Sequence, residues 1–76
     1  MNMYRVRVRV KELCEQRNWS IHELSIRSGV TYTTVRRYAM QPMDMVSMDS
    51  ICRIKEVLGC SWDELLEVQG DNSFDE

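Results

Sequence analysis

The sequence predicts an all-α fold, one small domain of short helices preceded by a short extended or β segment. Three observations predict it. Residues 20–28 and 32–39 each follow a helix start signal, and Gly29 separates them. Residues 47–58 and 61–66 repeat apolar side chains at the spacing of three and four that puts them on one helix face. Only residues 4–10 alternate strictly between apolar and basic, the period of a strand with one buried face.

In chain order, Tyr4, Val6, Val8 and Val10 interleave with Arg5, Arg7 and Arg9. A lone strand cannot satisfy its own backbone groups. This one has three ways out: pairing with residues 66–69, pairing with its twin in a second copy, or remaining a frayed arm. A first helix follows over about residues 10–18, with Val10, Leu13 and Cys14 inward. The second helix opens at Ser20, whose hydroxyl can accept a backbone N–H, and Glu23 completes an S-x-x-E capping box. Trp19 and Leu24 occupy the positions of a hydrophobic staple, and Ser25 is small enough for close helix approach. Gly29 ends that helix, since glycine tolerates a left-handed backbone.

Thr31 caps the third helix. Val35 and Tyr38 point inward, and Thr33, Arg36 and Arg37 lie on the opposite stripe. Residues 40–47 read as a loop around Pro42, rich in methionine, which is adaptable packing more often than a ligand set. Ser47 caps a fourth helix with Ile51, Ile54, Val57 and Leu58 inward and Gly59 at its end. Ser61 and Glu64 form a second capping box, and Trp62, Leu65 and Leu66 form an apolar stripe that is either the lid of the core or half of a dimer seam, with Leu65 favoured as lid and Trp62 open between the two. The domain is expected to span residues 1–68, with 69–76 an acidic, disordered tail.

Seventy-six residues make one small domain with a thin stability margin. No apolar run approaches the roughly 18 residues of a membrane span, and no secretory signal is read, so the chain is expected to be cytoplasmic. Cys14, Cys52 and Cys60 are odd in number and lack a Cys-x-x-Cys spacing, and His22 is the single histidine. No metal site and no cofactor is expected. Cys14 and Cys52 are read as small core residues in a reducing compartment. The net charge is −2, but residues 1–38 carry eight basic and three acidic side chains, whereas 39–76 carry two basic and nine acidic ones. That division implies one face for a polyanion and another that avoids it. No glycine-rich phosphate loop, Ser/His/Asp set or paired-carboxylate cleft is legible, so no enzyme is expected.

Two short helices joined by a tight turn, the second with a polar basic face, describe a helix-turn-helix reader physically. The residues Trp19-Ser20-Ile21-His22-Glu23-Leu24-Ser25, Ser28-Gly29-Val30-Thr31 and Thr34-Val35-Arg36-Arg37, followed by segments 48–60 and 61–66, resemble the lambda-repressor-like, Cro/Xre-type proteins of bacteria and phages. The resemblance covers about residues 8–68. It implies a five-helix domain whose third helix enters the major groove, a homodimer, and a sequence-specific transcriptional regulator, in most cases a repressor. Tyr32, Thr33 and Arg37 match base-reading positions, while Thr34 and Arg36 match positions that meet bases or backbone less regularly. The backbone N–H groups of Ser20 and Ile21 match a phosphate site at a helix N-terminus. Many members have glutamine where this chain has Ile21 and Tyr32, and Glu-Asn-Gly where it has Ala39-Met40-Gln41, so those contacts do not carry over. The alternative is an interaction module of the same fold, such as an antitoxin or adaptor, binding protein instead of double-stranded DNA. No small-molecule ligand is evident.

Overall fold

Two antiparallel strands bracket five helices in the computed structural model, which describes residues 4–70. In chain order these are β1 (Tyr4–Val8), α1 (Val10–Gln16), α2 (Ile21–Ser28), α3 (Tyr32–Met40), α4 (Met48–Leu58), α5 (Trp62–Leu65) and β2 (Leu66–Gly70). The five helices agree with the expectation, but the fold is not purely all-α. The alternating segment pairs within the chain, in a register that sets Tyr4 opposite Gly70, Val6 opposite Val68 and Val8 opposite Leu66. Arg9 N–H extends this ladder by donating to Leu65 O at 2.7 Å. On its other edge, Val6 and Met43 exchange both backbone hydrogen bonds at 2.9 Å, so the methionine-rich loop is tied to the sheet. Gln69 and Gly70, expected in the tail, continue β2, and residues 71–76 lie outside the described residues.

The start signals work as the sequence implies. Ser20, Thr31, Ser47 and Ser61 each accept the N–H three residues on, satisfying one of the donors that a helix N-terminus leaves unpaired. Both halves of the box form at Ser61 and Glu64. At Ser20 only half forms, because the Glu23 carboxylate turns away to accept from Arg27 Nε at 2.6 Å. Gly29 (φ 76°) and Gly59 (φ 65°) end α2 and α4 in the left-handed region. The first helix stops two residues short of the expected Asn18. Asn18 takes φ 59°, and Trp19 N–H folds back onto Cys14 O at 2.9 Å. Asparagine tolerates that conformation better than most residues, so it can serve as the helix stop.

The core sits where the helices meet the sheet. Val8, Val10, Leu13 and Cys14 pack with Leu24, Val30, Val35, Tyr38, Ile51, Ile54, Leu58, Cys60 and Leu65, all buried. Leu65 is the lid, with no exposed surface, whereas Trp62 remains 43% exposed. Val57, placed inward by its spacing, is half-buried at the edge of the core. Cys52 is a correction: it is exposed, since one step from Ile51 turns a side chain about 100° around a helix axis. Arg17 pins two helix ends together. Its guanidinium donates to Leu13 O at 2.9 Å and to Leu58 O, placing a cation against carbonyls near the C-termini of α1 and α4.

Candidate nucleic-acid interface

Val35 and Tyr38, spaced three apart, dock α3 in the core and thereby turn its other face outward. Tyr38 is held at its far end as well, because its hydroxyl oxygen accepts Ser47 N–H at 3.1 Å. The turn before α3 is fixed from both sides. Ser25 Oγ donates to Val30 O at 2.8 Å, and Val30 N–H donates to Ser28 Oγ at 3.2 Å. These serines set α2 against α3 with no flexible linker between them.

The outward face of α3 lines a shallow groove of about 570 Å3 between Tyr32, Thr33, Arg36, Arg37, Met40 and Gln41. Four of the seven sequence-derived candidates therefore meet in one place. Tyr32 is 46% exposed and its ring stands 6.1 Å from that of His22. Thr33, Arg36 and Arg37 are exposed. The other three candidates lie elsewhere. Thr34 is half-buried, and its hydroxyl oxygen accepts from Thr31 Oγ1 at 3.0 Å, so it belongs to the cap of α3. Ser20 is exposed at the start of α2, with Oγ occupied by Glu23 N–H. The Ile21 side chain packs against the core, which leaves only its backbone to face a ligand. Met40 and Gln41 join the groove too; the sequence puts both in the loop 40–47, but Met40 is the last residue of α3 and Gln41 its C-cap. They stand four residues after Arg36 and Arg37, and that spacing alone puts them on the same stripe.

The electrostatics separate these arginines from the rest. Arg5 pairs with Asp44 at 3.0 Å, Arg7 with Glu12 and Glu67, Arg9 with Glu67, Arg27 with Glu23, and Arg53 with Asp49. Arg17 is bound to backbone carbonyls, and Lys55 stands over the Trp62 ring at 5.1 Å. Arg36, Arg37 and Lys11 have no ion-pair or hydrogen-bond partner among the described residues. Arg7 and Glu12 hold one another charged. The hydrogen bond between them raises the guanidinium pKa and lowers that of the carboxyl. Burial pushes the Cys14 and Cys60 thiols up. Among the described residues no group of three His, Cys, Asp or Glu side chains is disposed to hold a metal, and no helix is long and apolar enough to cross a membrane.

Two packed helices with arginines unpaired among the described residues on the outer face of the second have the chemistry to meet a polyanion and to donate to base edges. Residues 9–71 match the family model described as Cro/C1-type HTH DNA-binding domain. No curated protein and no solved structure matches the chain.

Proposed function

The chain belongs to the Cro/C1-type HTH DNA-binding domain family, and on that footing we propose that it is a sequence-specific transcriptional regulator, a repressor, that lays α3 in the major groove of double-stranded DNA. One observation carries this reading. Two neighbouring arginines, Arg36 and Arg37, stand unpaired among the described residues on the exposed face of a helix docked in the core by Val35 and Tyr38. An unpaired guanidinium has its whole donor fork available for guanine O6 and N7. Thr33 supplies a hydroxyl and a methyl for an adjacent base, and Tyr32 sits in the first turn, where recognition helices meet base edges.

Other groups position the protein on the duplex without reading it. The first N–H groups of α2, at Ser20 and Ile21, face a phosphate, helped by the positive end of the helix. Thr34 acts through the cap it shares with Thr31. A homodimer sets two readers about 34 Å apart on a near-palindromic site and doubles the cations that stand unpaired among the described residues. The cytoplasm suits a chain with three free thiols.

A second reading has its own observation. Met40, Met45 and Met48 are 65%, 82% and 60% exposed, and methionine adapts well to protein partners. Selection of bound duplexes from a random pool separates the two. Recovery of a motif by the wild type, lost on joint Arg36→Ala and Arg37→Ala substitution, supports the regulator. Absence of enrichment even at low salt removes it in favour of the protein-binding module.

A further inference from the structure

The basic surface does not end with α3. Three shallow grooves meet at Gln41, the residue that closes this helix. One runs along α3 past Arg36. A second lies between Arg5, Arg37 and Asp44. The third, about 370 Å3, passes from Met40 over Pro42 to Arg7 and Lys11. The exposed face of α3 is therefore continuous, around the corner at Gln41 and Pro42, with the beginning of α1.

Along that surface two of the cations are already committed. Arg5 is paired with Asp44, and Arg7 is paired with Glu12 and Glu67. Lys11 is exposed and, like Arg36 and Arg37, has no partner among the described residues. Ten basic residues occur in the sequence, and the three without a partner among the described residues all border this one chain of grooves. No ion pair or hydrogen bond among the described residues engages the charge at Lys11. It lies in the first turn of α1, where the helix dipole disfavours a cation.

We infer that Lys11 holds a backbone phosphate of the bound duplex, on the strand that flanks the segment read by α3, and so extends the interface around the C-terminal end of the recognition helix. This rests on the proposed DNA-binding function. A duplex seated on α3 presents the phosphates bordering its major groove to whatever adjoins the helix, and at that end the neighbour is the corner leading to Lys11. Lysine suits such a contact, because its ammonium is a compact charge on a flexible stem. It can meet a phosphate from many angles but lacks the fork that selects a base. Lys11 is thus a positioning residue, adding affinity equally for every sequence.

The test is binding of wild type, Lys11→Gln and Lys55→Gln to a selected duplex and to a scrambled one, by fluorescence anisotropy between 50 and 200 mM salt. Loss of one phosphate contact lowers the slope of log K against log salt by about 0.9. The Lys11→Gln defect is then about fivefold at 50 mM, equal on both duplexes, and shrinks about threefold by 200 mM. Lys55→Gln removes the same charge from beside Trp62 and leaves the slope unchanged. Wild-type affinity and slope in Lys11→Gln, or an equal slope change in Lys55→Gln, overturn the assignment while DNA binding stands. Failure of the wild type to bind either duplex removes the underlying reading, and the assignment with it. Equal thermal unfolding of the three proteins checks that the fold is intact.

Discussion

The hydroxyl of Tyr38 accepts Ser47 N–H at 3.1 Å and so ties the buried side of α3 to the residue that caps α4. The ring is 4% exposed and fills the core, while the oxygen serves the backbone of the loop's last residue. Tyr38→Phe keeps the ring and leaves that N–H without its partner. It is expected to cost about 1 kcal/mol of stability, read by denaturant unfolding, with DNA selectivity unchanged. A loss below about 0.3 kcal/mol, well under the usual worth of one hydrogen bond, would mean that water replaces the phenol there.

The Arg36 and Arg37 side chains make no ion pair or hydrogen bond among the described residues, so each is expected to be removable without unfolding the protein. Each alanine variant is expected to keep the wild-type unfolding midpoint. A variant that removes a base contact loses about 1–3 kcal/mol on the selected duplex and relaxes selection at one position, whereas one that removes a phosphate contact weakens all sequences alike. Competition binding with single-base duplex variants tells the two apart.

Asp44 is the acidic residue in the second groove, beside Arg37, and it holds Arg5 at 3.0 Å. Both side chains of that pair are more than half exposed, so the pair itself adds little to stability. Under the proposed function its effect is expected on binding, through a repelling carboxylate and an occupied guanidinium. Asp44→Asn is expected to tighten DNA binding and to steepen the salt slope by up to about 0.9 as Arg5 gains a phosphate. Weaker binding in this variant would show that the pair supports the loop instead.

The carboxyl of Glu12 is held below its ordinary pKa, chiefly by the hydrogen bond from Arg7. A group whose folded pKa is depressed adds stability above its unfolded pKa and loses that stability as pH falls through the folded value. The protein should therefore weaken on acidification through and below the ordinary carboxylate range. Glu12→Gln should flatten that part of the profile and be less stable than wild type at neutral pH. Thermal unfolding at stepped pH checks both.

The thiols differ in access. Cys52 is exposed, while Cys14 and Cys60 are buried with their thiols pushed up by burial. A thiol-specific reagent should label one cysteine promptly in the folded protein and the other two only after denaturation. Labelling counted by intact mass decides it, and prompt labelling of Cys60 would show that α5 opens readily.

Features governed by short spacing are legible in the sequence. Ser20, Thr31, Ser47 and Ser61 announce four helix starts, and Gly29 and Gly59 announce two ends, because capping depends on residues within one turn. Alternation marks β1 but does not choose its partner, since pairing of residue 6 with 68 is a tertiary event. Cys52 lies outward although its residue type favours burial, because helical phase, not type, decides which side chains of α4 face the core. Tyr32, Thr33, Arg36 and Arg37 can be grouped on one face from their spacing. Lys11 cannot be joined to Gln41 that way, because thirty positions of chain separate them and only the packing of α1 beside α3 brings them to one groove.

The DNA-facing role of α3 is best tested by amide chemical-shift mapping of the protein on addition of a selected duplex. The largest changes are expected at Tyr32, Thr33, Arg36 and Arg37, with Ser20 and Ile21 following. Changes confined to Trp62, Val68 and the outer edge of β2, with α3 undisturbed, would contradict that role.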